Sequence, residues 1–310
     1  MKKELELAII GAGIAGVSAA IYARRSGLDF AIFEAKAIGG QLLLMEGIDN
    51  YVGLDLGTKG RDLAKDLAKT LSGLEIDVLA KEIKGVDIKE DKVQLQTDDC
   101  LYQAKAVIIA TGAGFKKLDV EGEAKLSGRG VSYCAVCDGF FFKGKDVAVV
   151  GGGNAAVEEA LYLAEIASKV TLIHRRDKLR AADCLQKDLF AKENIEVIFN
   201  AVVQQVSGDN LLSEITLKNI KTDETKSLSL NGLFVAIGVV PNTKVFSRVV
   251  SLDEGGFIVT DEQMQTSSNS IWACGDCRKR PLRQLITAAS EGAIAAMGVY
   301  KFLKGHYISS

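Results

Sequence analysis

Residues Gly11-Ala-Gly13-Ile-Ala-Gly16 follow the apolar run 5–10 (Leu-Glu-Leu-Ala-Ile-Ile), and Gly151-Gly-Gly153-Asn-Ala-Ala156 follow the run 146–150 (Asp-Val-Ala-Val-Val). Each stretch reads as a buried strand, a glycine turn and the start of a helix. In the first copy the helix extends to about Ser26 and a second strand covers Phe30–Glu34. In the second copy the helix covers 155–167 and the next strand Val170–His174. This is the βαβ unit of dinucleotide-binding folds. The first glycine makes the tight turn, the second admits a pyrophosphate close to the backbone, and the third position lets helix pack on strand. The helix N-terminus then faces the phosphate charge. Gly11 to Gly151 is 140 residues, and Glu34 to His174 is also 140. Two fingerprints with matched internal spacing are far more specific than one. They predict an α/β chain with two Rossmann-like dinucleotide-binding domains.

The copies differ where their nucleotides would differ. The first ends its second strand in Glu34, placed to accept hydrogen bonds from ribose hydroxyls. A carboxylate there repels a ribose 2′-phosphate, so the first site is expected to hold an unphosphorylated adenosine ribose such as that of FAD. The second ends in His174-Arg175-Arg176, with Arg180 following. Guanidinium forks bind a 2′-phosphate bidentately, so this site is expected to hold NADPH. The competing reading is a solvated basic patch on a loop.

Between the copies lies Cys134-Ala-Val-Cys137-Asp138, 13 residues before the second glycine turn. By itself a Cys-x-x-Cys pair serves equally as half a zinc site or as a redox couple. Its place beside a nucleotide turn suggests electrons moving between the two. The uncharged run Leu7–Ala23 resembles a signal core, but its glycines and the mixed-charge start Lys2-Lys3-Glu4-Glu6 argue against that and against a membrane span. Without an export signal the cysteines are expected in a reducing cytosol, where such a pair is catalytic or metal-bound rather than a structural staple.

The chain's 310 residues allow two domains, each with its own core. Apolar residues make up 48%, charged residues 25%, and the net charge is −2, which favours neither nucleic acid nor an anionic membrane as partner. Leu63, Leu67 and Leu71 with Ala64 and Ala68 mark an amphipathic helix over about 60–72. Residues 72–104 read as a β-meander. Ala106–Ala110, Leu233–Ile237 and Ser270–Ala273 read as strands, and Arg283–Lys304 as a C-terminal helix.

Taken together, the motifs resemble the low-molecular-weight thioredoxin reductases over essentially the whole chain. The family pattern of GxGxxG/A, GGQ, ATG, CxxCD, a second GxGxxA, HRRxxxR and a late GD…RQ is matched in order. Here it is Gly11/Gly13/Gly16, Gly39-Gly40-Gln41, Ala110-Thr111-Gly112, Cys134/Cys137-Asp138, Gly151/Gly153/Ala156, His174-Arg175-Arg176/Arg180, Gly275-Asp276 and Arg283-Gln284. The resemblance implies an FAD domain at about 1–115 and 245–310, with an NADPH domain at about 116–244 inserted into it. Short segments near 113–117 and 241–246 would be the hinges. It adds Ala15, Gly40, Gln41, Leu42, Asn50, Thr111, Gly112, Gly275, Asp276, Arg283 and Gln284 to the FAD site. It adds Asn154, Ala155 and Gly238 to the NADPH site. It further implies a cytoplasmic homodimer whose partner is thioredoxin, with no metal. Electrons would pass from NADPH to FAD, to a Cys134–Cys137 disulfide, and on to thioredoxin, with Asp138 as acid/base; a helix N-cap is the plainer role for that residue.

Two departures stand out. Asn154-Ala155 replaces the Asp-Ser of many relatives, and Asn50-Tyr51-Val52-Gly53 lacks a common proline. Neither removes a reacting group. HRRxxxR is retained, which favours NADPH over NADH or ferredoxin. Other readings remain open. The partner could be a glutaredoxin-like protein or a peroxidase, or the chain could be a low-turnover redox sensor. Cys274-Gly-Asp-Cys277 could complete a four-thiolate zinc set, act as a second redox relay, or be inert. Cys100 and Cys184 read as structural or incidental, His306 as exposed in a polar tail, and Trp272 as core.

Overall fold

The computed structural model describes residues 2–45 and 47–305; His306 lies outside them. The chain divides into two compact units, Met1–Gly114 with Val240–Ser310, and Phe115–Val239. The second crossing falls before the predicted 244 because Asn242 and Thr243 are tied to the first unit. The Asn242 N–H donates to the Gly112 carbonyl at 3.0 Å, and the Thr243 hydroxyl to the Gly256 carbonyl at 2.6 Å. Ala113–Phe115 and Val239–Pro241, the segments that leave and re-enter the first unit, pair as a two-stranded sheet.

In the first unit the strand Lys2–Ile10 lies at the centre, between Phe30–Phe33 and Leu101–Ile109, and pairs in parallel with both. Alternate residues feed opposite faces: Leu7 and Ile9 enter one core, Ala8 and Ile10 the other. A strand covered on both sides needs an unbroken apolar run, which is why Leu7 onward looks like a signal core. The outer edge of Leu101–Ile109 is shared. Lys92–Gln96 pairs antiparallel with its first half and Ile271–Ala273 parallel with its second. The expected meander over 72–104 is therefore only partly present. Gly85–Lys89, Lys92–Gln96 and Leu101–Ile109 form it, but Val78–Leu79 pairs in parallel with Phe30–Phe33 at the far edge. The helix Gly60–Gly73 carries the chain to that edge.

The helix Leu285–Lys304 packs along Ile14–Arg25. Gly292 permits the close approach, since a Cβ there would collide with the Ala15 carbonyl. Trp272 is core, as expected, with Gly298 seated against its indole. The helix starts after Arg283, because Gln284 is its N-cap and shares a capping box with Thr287.

The second unit repeats the plan. Ile195–Phe199, Lys169–His174, Asp146–Val150, Gly232–Val235 and Val131–Ser132 form a parallel sheet in that order. Beside it Ala201–Ser207, Glu214–Asn219 and Thr225–Ser229 form an antiparallel sheet. The helix Asn154–Ala164 covers the parallel sheet with Ala156, Val157, Ala160 and Leu163. No helix among the described residues is long and apolar enough to cross a membrane.

Candidate active site

Gly11 ends the first strand at φ +106°, where its missing Cβ avoids the Ala110 carbonyl; a Cβ on Gly16 would collide with the Gly11 carbonyl. The helix Ile14–Arg25 begins at Gly13 with no side-chain cap, so its first N–H groups are open to an anion. Glu34 lies one residue beyond the second strand. Its Oε2 accepts the Ala12 N–H at 2.7 Å and its Oε1 the Lys36 N–H at 2.8 Å. These bonds fix the carboxylate at the mouth of the turn and leave further lone pairs for ribose hydroxyls.

Other residues expected at this site gather around the same turn. The position of a Gly40 Cβ lies 3.6 Å from Gly13 Cα, and that of Gly275 lies 2.9 Å from the Ala15 methyl. The Gln41 side-chain amide donates to the Ala113 carbonyl. Leu42 packs its side chain in a small core with Ile48 and Ala64, while its backbone N–H donates to the Gly39 carbonyl at 3.1 Å and its carbonyl accepts the Met45 N–H at 3.0 Å. The Asn50 amide donates to Gln284 Oε1 at 3.0 Å. Thr111 donates its hydroxyl to the Asn242 carbonyl at 2.7 Å, and the Asn242 amide returns a bond to the Thr111 carbonyl at 3.0 Å. Arg283 stacks over the Phe257 ring at 4.1 Å, and its Nε is buried without a partner among the described residues. These features fit a dinucleotide laid over the turn: a glycine cradle, open amides, a ribose-facing carboxylate and an orphaned donor.

Sequence reasoning missed what holds Gly275-Asp276. Glu291, buried on the C-terminal helix, accepts the Gly275 N–H at 2.8 Å and pairs with Arg278 at 2.6 Å and Arg280 at 3.2 Å. Arg280 also reaches Asp276 at 3.5 Å. Burial pushes the Asp276 carboxyl up, opposed by Arg280 and Arg283. The visible signal was an acid on the apolar stripe of a helix, facing two arginines around the late GD motif.

In the second unit the helix Asn154–Ala164 starts at Gly153, again without a side-chain cap. Gly151 is pressed against Ala156 and the Ala236 carbonyl. His174 is buried and its ring lies against Gly152, where a Cβ would overlap it. Burial holds the imidazole below its usual pKa, so it stays neutral. It shapes the underside of the glycine turn. Arg175, Arg176 and Arg180 are exposed, and none has an ion pair among the described residues. The Arg180 N–H donates to the Gly152 carbonyl at 2.6 Å, and buried Leu179 pins the stretch beside the turn. Asn154 accepts the Ala182 N–H at 2.9 Å through its side-chain oxygen, tying the helix start to the arginine loop. Ala155 is exposed, and Gly238 stands at φ +125° with its carbonyl accepting the Lys116 N–H at 2.9 Å.

Cys134 and Cys137 are joined as a disulfide across a Cα separation of 5.3 Å. Cys134 is the N-cap of the short helix Ala135–Asp138 and Cys137 lies within it, and Cys134 Sγ accepts the Cys137 N–H at 3.2 Å. Asp138 does not cap a helix with its side chain. Its Oδ2 instead accepts the Ser132 hydroxyl at 2.5 Å, while Ser132 Oγ accepts the Cys134 N–H at 3.1 Å. Burial pushes the Asp138 carboxyl up, partly offset by Ser132. Val136, Phe140 and Phe141 are exposed around the disulfide, an apolar surface that sequence reasoning did not single out.

Cys274 and Cys277 are buried thiols whose side chains enter the cores on opposite faces of the first sheet. Cys277 donates to the Ile109 and Cys274 carbonyls at 3.4 and 3.3 Å. Burial pushes the Cys277 thiol up to about 11 and also raises that of Cys274 well above the usual thiol range. Thiols that are protonated and divergent cannot relay electrons, so the inert reading is the one the geometry supports. Among the described residues no three His, Cys, Asp or Glu side chains group to hold a metal ion.

Residues 5–292 match the family model described as pyridine nucleotide-disulphide oxidoreductase. The chain is 41% identical to a thioredoxin reductase of Bacillus subtilis, covering 98% of this chain and 96% of that one. It is 37% identical to a thioredoxin reductase of Peptoclostridium acidaminophilum over 99% of both. Its fold superimposes on the crystal structure of a thioredoxin reductase from Streptococcus pyogenes with a TM-score of 0.94, at 41% identity over 98% of this chain and 99% of that one.

Proposed function

The chain belongs to the pyridine nucleotide-disulphide oxidoreductase family, and we propose that within it the chain is an NADPH-dependent flavoprotein that reduces the disulfide of thioredoxin. The observation that carries this reading is the Cys134–Cys137 disulfide, set on an exposed apolar turn with a buried carboxyl beside it, in the same unit as an arginine-edged dinucleotide turn. Bound FAD and NADPH supply the two-electron chemistry, hydride in and an electron pair out to a disulfide.

The residues divide that work. The open amides at Gly11–Gly16, with Glu34, Gly275-Asp276 and Arg283, hold the flavin nucleotide. The turn at Gly151–Gly153 takes the pyrophosphate of NADPH, while Arg175, Arg176 and Arg180 take its 2′-phosphate. Opening the Cys134–Cys137 disulfide leaves a thiolate that attacks the partner disulfide and passes through a mixed disulfide. Asp138 supplies and retrieves the proton. Val136, Phe140 and Phe141 give a protein substrate an apolar seat beside that sulfur. A redox sensor with little turnover would have no use for a buried acid at this point.

We also assign a homodimer, supported by the apolar surface that Tyr22, Ile294 and Phe302 leave exposed along the paired helices Ile14–Arg25 and Leu285–Lys304. The cytoplasm is the compartment that suits a dithiol cycle. The near-neutral net charge supports no nucleic-acid partner. The direct test is NADPH-dependent thiol release with thioredoxin and a chromogenic disulfide. No release with the native chain overturns the proposal.

Asp138 has its own signature. A carboxyl held above its ordinary pKa by burial keeps its proton to higher pH. Acting as the acid, it works below that raised value, so turnover declines as pH climbs through it. Asp138→Asn is expected to lose the limb and to cut thioredoxin turnover by about 10²–10⁴-fold. A pH–rate profile of both proteins checks it; an unchanged limb assigns it elsewhere.

A further inference from the structure

Glu159 is an acid on the inward stripe of the helix Asn154–Ala164, three residues after buried Ala156 and four before buried Leu163. That stripe carries the disulfide turn. Ala135 is wholly buried in one core with Ala156, Ala160 and Leu163, and a Cβ on Gly139 would lie 3.1 Å from Leu163 Cδ2 and 3.2 Å from Tyr162 Cε1. The backbone amide of Ala135, the first after Cys134, faces the Glu159 carboxyl and favours its charged form. Its Oε2 is buried with no hydrogen-bond partner among the described residues. A buried carboxylate with so few donors is under-satisfied, and burial raises its pKa to about 7.

The elements packed on this helix are the disulfide turn, the strands Asp146–Val150 and Lys169–His174, and the helix Asp183–Phe190. Their titratable groups are Cys134, Cys137, Asp138, Asp146, Lys169, His174, Asp183, Cys184, Lys187 and Asp188. Burial and the Ala135 amide are the two influences on Glu159 while the disulfide is closed. The charge that changes beside it is the one made when the disulfide opens.

We propose that Glu159 is a positioning residue for the Cys134–Cys137 couple: it anchors the turn through the Ala135 amide and takes up a proton when the couple is reduced. This rests on reading the pair as the redox centre. Two electrons, drawn from NADPH, break the S–S bond and leave both sulfurs anionic. One sulfur takes a proton from Asp138 and the other stays a thiolate. The new negative charge draws a solvent proton onto the Glu159 carboxylate. When the electron pair leaves to the next disulfide, the S–S bond reforms and that proton returns to solvent. The coupling is reciprocal, so a proton on Glu159 also favours the thiolate.

The test uses the full chain with its flavin, reduced by dithiothreitol and freed of it. Iodoacetamide alkylation of the Cys134 and Cys137 peptides is followed by mass spectrometry across neutral and weakly alkaline pH. The native chain should give two steps. Glu159→Gln keeps an oxygen for the Ala135 N–H but cannot titrate. It should give one step and, at slightly alkaline pH, alkylate about 3–10-fold faster because no anion opposes the thiolate. Asp138→Asn should retain the Glu159 step. Equal profiles for the native chain and the Glu159→Gln variant overturn the proposal. Should the variant fail to fold, a reduced-minus-oxidised infrared spectrum of the native chain decides instead. Reduction at neutral pH should give a new protonated-carboxyl band from Glu159 beside the one lost from Asp138, and a loss with no gain counts against Glu159. Because dithiothreitol supplies the electrons, failure of NADPH to reduce the pair strikes the proposed function and leaves the Glu159 result readable.

Discussion

Cys137→Ser abolishes NADPH-driven reduction of thioredoxin while NADPH oxidation by a small artificial electron acceptor continues. A disulfide stores two electrons because both sulfurs are present, and a lone thiol can neither accept the pair nor release a mixed disulfide by attack from its neighbour. The loss should be roughly 10⁴-fold or more, the scale on which removal of a covalent nucleophile acts. Serine keeps the backbone N–H that Cys134 Sγ accepts at 3.2 Å, so the turn survives the change. The Ser132–Asp138 bond does not involve the substituted side chain. Thiol release from thioredoxin and NADPH oxidation with the artificial acceptor, measured on one preparation, separate the two halves of the reaction. Thioredoxin turnover that survives the serine means the couple lies elsewhere. With Cys274 and Cys277 buried, divergent and protonated, the first unit offers no replacement couple.

Arg175→Ala combined with Arg180→Ala raises KM for NADPH by about 10–150-fold and that for NADH little, as expected for losing a charge-assisted contact worth on the order of 1.5–3 kcal/mol. Both side chains stand in solvent without ion pairs among the described residues, so removing them strands no buried partner. What positions Arg180 is its backbone, bonded to the Gly152 carbonyl at 2.6 Å, and the buried Leu179 beside it. Alanine preserves both. The same argument makes the effect specific, since NADH lacks the phosphate these guanidinium groups would read. Steady-state kinetics with the two donors checks it. A parallel rise in both KM values means that the arginines do not read the 2′-phosphate.

The parts of this molecule legible in the sequence were those dictated by backbone chemistry. A turn whose Gly11 and Gly16 leave no room for a Cβ can be written in few ways, so both dinucleotide units were readable. The central strands were readable for the same kind of reason, because burial on two faces demands a continuous apolar run. Less legible was pairing between distant segments. Val78–Leu79 has no periodicity of its own and takes its place at the far edge from the helix that precedes it. Side-chain tasks were the least legible. Glu159, Glu291 and Ser132 are ordinary letters in the chain, and their importance comes from what lies across from them: the Ala135 amide, the Gly275 amide and the Asp138 carboxyl. His174 was legible as the opening of the arginine motif, but not its packing, with the ring buried against Gly152.

The packing of Leu285–Lys304 along Ile14–Arg25 also has a consequence for biosynthesis. Ribosomes deliver residues in order, so the first nucleotide turn emerges early but lacks its covering helix and the strand Ile271–Ala273 until synthesis is nearly done. The unit Phe115–Val239 is contiguous and can close while the first still waits for its second segment, Val240–Ser310. A nascent chain released before the last helix thus keeps the thiol pair in a finished unit but has only an incomplete flavin cradle. Such a fragment would carry cysteines cut off from the flavin route.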